Sequence, residues 1–530
     1  MKRRTIAQGA ILLAVCSIVA KLLGGAYRIA LTYVMGAEGI GYYQLVFPFF
    51  ALLLAITSNA IPLTLSRQIS AELSRDRGGA VKAIVRKAVL YAVFAGAVGA
   101  TVTVLLSRLM ASAQSQSGVY ICYIAIAPAI IFVALAGVFK GWFLGHGNTT
   151  PSGVSQIVEV FVKFGLGLLF AYLLMPKGLM QAVAGALIAV SISEFISLLT
   201  VFIWYAVSAK DERRLPPLAT EYKFFSTFLP ITASGFIFPL IAFIDSVMVV
   251  NLLIKGGVSD AVSQYGILTG PVASVINMPI VLAMSISVAI VPAVASAMAG
   301  YDVVSVKQKT ATTLKMCLMI AMPFFLGGAI MSKQVVGILY PSLSQAHRDL
   351  TAYLLSLTAV NVLLLSMLEA LDAILQGLGR LRPVLINISV GGALKILIEL
   401  ILVPRWGIAA SGVSSIVFYL TAFTLNGVYY NKLVGKNAKL FKSISKISLS
   451  GAIMSVVMLP GIFINNNIWS LVYAVLAGAT AYIISLLVMR AVEQNEMQML
   501  PLGNKLTRLL KKTGYYKSCL LYTNDAADEA

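Results

Sequence analysis

The sequence predicts an all-α integral membrane protein of about fourteen transmembrane helices, built as two six-helix lobes related by a parallel repeat plus two C-terminal helices. Three observations carry this expectation. Of 530 residues, 59% are hydrophobic and 11% charged, against roughly 45–50% and 25% in a soluble domain, and the mean hydropathy is +0.90. The apolar residues fall in stretches of about 20, the length that a hydrocarbon core about 30 Å thick demands of a helix. Lysine and arginine collect in alternate connections between those stretches. So little polar sequence excludes a soluble globular enzyme, a disordered tail protein and a disulfide-stapled secreted domain.

Each stretch is bounded by charge, glycine, proline or a short polar turn. The first, 6–35, follows Lys2 to Arg4 and runs through Lys21 and Arg28 to Met35-Gly36. It resembles a signal peptide only at its start, because no small-residue cleavage site interrupts it, so it reads as a retained span. The stretch 40–65 stops before Arg67, 88–107 lies between Lys87 and Arg108, and 119–139 between Ser117 and Lys140. Pro151 precedes 153–175 and Pro176-Lys177 closes it; 181–207 ends before Lys210. Lys223 and Lys255 bracket 224–254, while Asp260 and Gly300 bracket 264–297. Lys315 opens 315–332 and Lys333 closes it, and 350–375 lies between Asp349 and Gly377. Pro383 to Pro404 holds 383–403, Gly407 to Lys432 holds 408–430, Lys446 to Asn465 holds 447–464, and 468–489 stops at Arg490.

Placing the amino terminus inside assigns about thirty of the forty Lys and Arg to the cytoplasmic side, and about six, including Arg108, Lys177, Lys255 and Arg405, to the other. Both termini are therefore expected in the cytoplasm of a multi-pass cell-membrane protein. The net charge of +20 reads as topology and attraction to anionic membrane lipids, with no nucleic-acid partner.

An internal repeat supports the lobes. Gly145, Gly147, Pro151 and Lys163 match Gly377, Gly379, Pro383 and Lys395 at one constant offset, and Tyr42 with Pro48 and Ala60-Ile-Pro62 resemble Tyr265 with Pro271 and Ile290-Val-Pro292 at similar offsets. The expected units are 1–207 and 224–430 as lobes, 208–223 as a cytoplasmic linker, 431–490 as helices 13 and 14, and 491–530 as a cytoplasmic tail. Residues 519–530 switch abruptly to small and acidic types and resemble translated adapter sequence.

Lys21-Leu-Leu-Gly-Gly-Ala-Tyr-Arg28, Met35-Gly-Ala-Glu-Gly-Ile-Gly-Tyr-Tyr43 and Ala60-Ile-Pro-Leu-Thr-Leu-Ser-Arg67 resemble the multidrug/oligosaccharidyl-lipid/polysaccharide (MOP) exporter superfamily. Within it the chain is most similar to the polysaccharide biosynthesis and stage V sporulation protein B branch of Firmicutes, which includes lipid II flippase-like proteins. The resemblance covers residues 1–490. It implies a V-shaped pair of lobes around a cavity, and translocation of an undecaprenyl-diphosphate-linked oligosaccharide or peptidoglycan precursor from inner to outer leaflet by alternating access. It also suggests cell-wall synthesis enzymes as partners. Lipid II flippases carry cavity arginines on the first, second and eighth spans; this chain has Lys21 and Arg28 on the first and none on the other two, which leaves other lipid-linked glycans open.

Charges at bilayer depth are costly, about 2.5–3.5 kcal/mol each on insertion scales, so each needs a cavity or a partner. Lys21 and Arg28, seven apart, share a helix face and suit a diphosphate. Glu159 and Lys163, and Lys395 and Glu399, are i,i+4 pairs on repeat-related helices: either self-neutralising, or a means of bringing Lys163 and Lys395 to the same anion. The expected substrate-binding residues are thus Lys21, Arg28, Lys163 and Lys395. Asp245, Glu369 and Asp372 are the candidates for coupling to a proton or sodium gradient, against the plainer role of cross-helix salt bridges; Glu194 is acidic without an adjacent base. No cofactor, metal cluster, nucleotide loop or catalytic constellation is expected, and the chain does not read as an enzyme. Two other functions stay open: a cation-coupled multidrug exporter of the same superfamily, and a non-transporting scaffold for wall or spore-cortex synthesis.

Overall fold

The computed structural model describes residues 6–75, 77–210, 224–435, 438–464 and 467–492. The amino-terminal Lys2 to Arg4, most of the 208–223 linker and the tail beyond residue 492 lie outside the described residues. Within them every regular element is helical: α1 (Ile6–Thr57), α2 (Ile61–Leu73), α3 (Gly78–Ala113), α4 (Tyr120–Gly145), α5 (Thr150–Leu174), α6 (Leu179–Ser208), α7 (Phe224–Lys255), α8 (Ala261–Ile267), α9 (Ala273–Ala299), α10 (Val303–Ile330), α11 (Ser332–Leu339), α12 (Gln345–Thr358), α13 (Val360–Gly377), α14 (Leu381–Trp406), α15 (Ile408–Val434), α16 (Ala438–Met458) and α17 (Asn467–Val488).

Among the described residues, thirteen helical stretches are long and apolar enough to cross a bilayer. The first, Val15–Leu73, has 59 residues, far more than one crossing needs, and its backbone leaves the helical path at Gly36 (φ 67°, ψ −169°). Its two arms supply two passes, which brings the crossings to fourteen. The fold class expected from composition is borne out.

Helix starts differ from the apolar stretches in three places. α3, α10 and α16 begin at Gly78, Val303 and Ala438 rather than at 88, 315 and 447. Each early turn carries lysine or arginine, such as Lys82, Arg86, Lys307 and Lys309. Hydropathy marks where a helix enters hydrocarbon, whereas backbone hydrogen bonding continues into the headgroup layer.

The repeated glycines occupy one geometry. At the end of α4 the Gly147 amide bonds Leu144 O (3.0 Å) and the Asn148 amide bonds Phe143 O (2.9 Å); at the end of α13 the Gly379 and Arg380 amides bond Gln376 O and Leu375 O (both 2.9 Å). Both are Schellman turns, which need a left-handed residue, and Gly147 and Gly379 supply it at φ 71° and 72°. Pro151 and Pro383 then fall in the first turn of α5 and α14, where a missing N–H is harmless.

Helices α3 to α6 pack among themselves, as do α9, α10, α13, α14 and α15, with α16 and α17 against α10 and α11; α1 touches both groups. One core cluster joins the groups along the α1 arm beyond Gly36, through Ile40, Leu45, Phe49, Tyr123, Val249 and Tyr340. Polar bonds reinforce that contact. Gln114 Nε2 donates to Leu45 O (3.0 Å), Tyr123 Oη donates to Gln114 Oε1 (3.0 Å), and Asn251 Nδ2 donates to Ala113 O (2.6 Å).

Candidate functional site

A cavity of about 320 Å³ lies between α1 and the helices from α7 to α15, with no residue of α3 to α6 in its lining; its α1 residues Arg28 and Gln44 stand about two helical turns to either side of Gly36. α1 contributes Arg28, Gln44 and Pro48; α7 contributes Phe238 and Asp245. The Tyr265–Asn277 segment, the α12–α13 break at Thr358 and Asn361, Lys395 of α14, and Ser411, Phe418 and Tyr419 of α15 complete it.

Local backbone irregularity builds the wall. Pro271 cannot donate a backbone hydrogen bond, and between α8 and α9 the Leu268–Val272 segment widens into a π turn in which the Ala273 amide bonds Leu268 O instead of the carbonyl four residues back. Thr269 O accepts from the Gln44 side-chain amide of α1. This ties the wall to the arm of α1 beyond Gly36.

Three of the sequence-derived candidates converge here. Lys395 Nζ bonds the Asp245 carboxylate of α7, and it lies 3.3 Å from Glu399 Oε1, one turn along its own helix. Ser411 Oγ and Ser414 Oγ each donate to Glu399 Oε1 at 2.8 Å. The Lys395 side chain is 6% exposed, Glu399 0% and Asp245 16%. Asp245 Oδ1, Glu399 Oε2 and Asn361 Oδ1 are buried with no donor among the described residues. Arg28, which also lines the cavity, has no carboxylate of the described residues within ion-pair distance. The cavity therefore presents one paired cation, one unpaired cation and a carboxylate with an unmet oxygen.

The other candidates sit elsewhere. Lys21 Nζ lies 3.3 Å from Met284 Sδ on the α1 segment leading to Arg28, and it is the cation that faces Glu369 of α13. Lys163 Nζ is 3.8 Å from Glu159 Oε1, whose carboxyl meets Glu194 of α6; neither Lys163 nor Lys21 lines the cavity. Asp372 Oδ1 accepts from Asn426 Nδ2 (2.6 Å), and Asn426 Oδ1 accepts from Asn387 Nδ2 (2.7 Å), a chain that ties α13 to α15 and α14. Charge alone missed Gln44, Tyr265, Asn277, Asn361 and Ser411. Their signal was available: amides and hydroxyls within apolar stretches, near Pro48 and Pro271, are expensive to strand in lipid and so tend to face a partner or a cavity.

The model of one family, described as "Polysaccharide biosynthesis protein", matches residues 6–298, which include α1 and the walls up to α9. The chain belongs to the polysaccharide biosynthesis protein family. The resemblance to the MOP superfamily and its stage V sporulation protein B branch is borne out alongside it. Stage V sporulation protein B of Bacillus subtilis (strain 168) is 24% identical over 521 residues, covering 96% of this chain and 99% of that protein. The lipid II flippase MurJ of the same organism is 23% identical over 458 residues, covering 82% and 84%. Among solved structures, a lipid II flippase MurJ in an inward closed conformation superposes with a TM-score of 0.68 at 15% identity, covering 90% of this chain and 98% of that one. An inward-facing multidrug resistance MATE transporter of the MOP superfamily gives 0.64 at 15% identity, covering 82% and 99%. This family member thus shares its fold with transporters of two kinds.

Proposed function

We propose that the protein carries a lipid-linked glycan, anchored through undecaprenyl diphosphate, from the inner to the outer leaflet by alternating access. One observation carries the reading: Arg28 brings an unpaired guanidinium to a cavity at bilayer depth, where a lone cation is tolerable only with a counter-ion to receive. A guanidinium matches phosphate geometry through two parallel N–H bonds, and low surrounding polarity strengthens them. Gln44, Asn277, Asn361, Thr358 and Ser411 supply the amides and hydroxyls that suit a sugar, and Tyr419 a ring face. The name of the lipid II flippase relative supports a lipid-linked cargo.

In this reading the Gly36 end faces outward, both termini are cytoplasmic, and residues 1–207 and 224–430 rock against each other about the cavity. The closed core and the Gln114 bonds along the α1 arm beyond Gly36 support an arrangement sealed to the outside. Lys21 lies on the inward approach to Arg28. The expected host is a Firmicute, and the relatives' transport names support a carrier rather than an enzyme.

Transbilayer movement of a fluorescent undecaprenyl-diphosphate sugar in proteoliposomes tests this. Wild type moves it, and Arg28→Ala, equally folded, does not. No movement by wild type under proton, sodium and potential gradients alike overturns the reading. One observation favours a cation exporter instead: Asp245 Oδ1 lacks a donor beside Phe238, Phe418 and Tyr419. Efflux of organic cations that survives Arg28→Ala but not Asp245→Asn would establish that alternative.

A further inference from the structure

Lys395 has two carboxylate partners of unlike standing. Glu399 is on the same helix, fully buried, and its Oε1 is held by Ser411 and Ser414; it does not line the cavity. Asp245 comes from α7, lines the cavity, accepts from Lys395 alone, and leaves Oδ1 without a donor. Glu399 is a fixed partner. Asp245 and Lys395 both line the cavity, so an anion entering it would compete with Asp245 for the ammonium.

We propose that Asp245 is a built-in stand-in for the substrate's phosphate on Lys395, displaced when the substrate binds, and that the displaced carboxylate takes up one proton from water at Oδ1. The inference rests on the anion-binding reading above and adds how that site is regulated and coupled. Its physical basis is charge balance. Arg28 and Lys395 against Asp245 and Glu399 leave the walls neutral, so a diphosphate diester would bring two negative charges into a site with no net positive charge to meet them. At low dielectric that repulsion is severe. Protonating Asp245 removes one carboxylate charge, frees the ammonium for a phosphate oxygen, and leaves a neutral carboxylic acid that needs no counter-ion. The bond formed is O–H on Asp245; the Lys395 and Arg28 protons stay in place.

The ionisable groups around Asp245 are few. α1 presents Arg28, the Tyr265–Asn277 wall presents Tyr265, α14 presents Lys395 with Glu399 behind it, and α15 presents Tyr419. α2 also touches α7, but its Arg67 and Glu72 do not line the cavity. Among the described residues, Asp245 is thus the one carboxylate lining the cavity.

The test is calorimetric binding of farnesyl-diphosphoryl-N-acetylglucosamine to the full chain in phosphatidylcholine nanodiscs, in buffers of unlike ionisation enthalpy. Both phosphates of this probe are diesters and hold their charge near neutral pH, so any proton exchanged belongs to the protein. Wild type is expected to take up about one proton per probe bound at pH 7, with affinity falling about tenfold per pH unit above neutrality. Asp245→Asn is expected to take up none and to bind at least tenfold tighter at pH 8. Binding heat independent of the buffer in wild type overturns the inference while leaving the anion site standing, and this result needs no variant. An Asp245→Asn protein that still takes up a proton also overturns it. No binding by wild type overturns the anion-site reading itself.

Discussion

Lys395 and Glu399 form an ion pair of 3.3 Å within one turn of α14, with side chains 6% and 0% exposed. Breaking such a pair strands a charge, typically at about 3–5 kcal/mol, whereas replacing both partners by apolar residues is often neutral. Lys395→Met alone leaves Glu399 and Asp245 without their cation and is expected to lower stability by roughly that amount. Adding Glu399→Leu should restore a large part of it, because the remaining carboxylate, Asp245, borders the cavity and can be neutralised by a proton. Transport should stay lost in both, since neither variant offers the Lys395 ammonium. Thermal unfolding and proteoliposome transport, measured in parallel, separate the two effects; a double variant that transports normally would remove Lys395 from the site.

A close backbone approach joins α8 to α1 near Gly36. A Cβ added to Gly266 would lie 2.5 Å from the Gly41 nitrogen and 2.6 Å from Ala37 O, too near for any side-chain adjustment to relieve. Gly266→Ala is therefore expected to push α8 away from α1 and favour the state open at this end. A cysteine placed at Ser263, which is 2% exposed, reports it. With the native cysteines replaced, labelling by a membrane-impermeant thiol reagent from outside should rise several-fold in the alanine variant. Unchanged labelling in a folded variant would show that the seal does not rest on this contact.

Bilayer physics made the fold readable in advance. Every backbone polar group inside hydrocarbon must be satisfied within its own segment, so stretch length and helix number follow from hydropathy alone. The two Schellman turns are local, and their glycines and prolines stood out in a chain otherwise uniform in composition. The site was less accessible. Arg28 was visible as a cation at bilayer depth on one helix face with Lys21, but the pairing of Lys395 with Asp245 joins helices 150 positions apart. The i,i+4 spacing of Lys163 with Glu159 is the same as that of Lys395 with Glu399, and helical periodicity does not say which pair meets a cavity. The π turn at Leu268–Val272 left only Pro271 as its mark, and Gln44, its cross-helix partner, carries no charge to draw attention.

Gln44 is 7% exposed and donates to Thr269 O at the widened turn. Gln44→Leu keeps nearly the same volume but removes the donor, and a buried acceptor left without one costs about 1–3 kcal/mol. The variant is expected to unfold at lower temperature than wild type and to lose transport beyond what its folded fraction explains, because Leu268, Thr269 and Val272 line the cavity. Gln44→Glu offers a control of opposite chemistry: it presents an acceptor to an acceptor and should be worse still. A leucine variant of wild-type stability would mean that the turn satisfies itself.

Lys163 occupies the position equivalent to Lys395 in the repeat, yet its ammonium is 3.8 Å from Glu159 and outside the cavity lining. Glu159 also meets Glu194, with Lys140 as the other nearby cation. The cluster therefore keeps two carboxyls tolerable within the α3 to α6 group by surrounding them with lysines. Removing Lys163 should act on stability, not on cargo. Lys163→Met is expected to lower the unfolding temperature, and Glu159→Gln introduced with it should recover the loss, while transport per folded molecule remains within about twofold of wild type, a change worth only ~0.4 kcal/mol. Arg28→Ala measured beside it should abolish transport with little change in unfolding temperature. If Lys163→Met instead stops transport in a stably folded protein, the repeat-related lysine reaches the cargo at another stage of the cycle, and the anion site draws on both groups of helices.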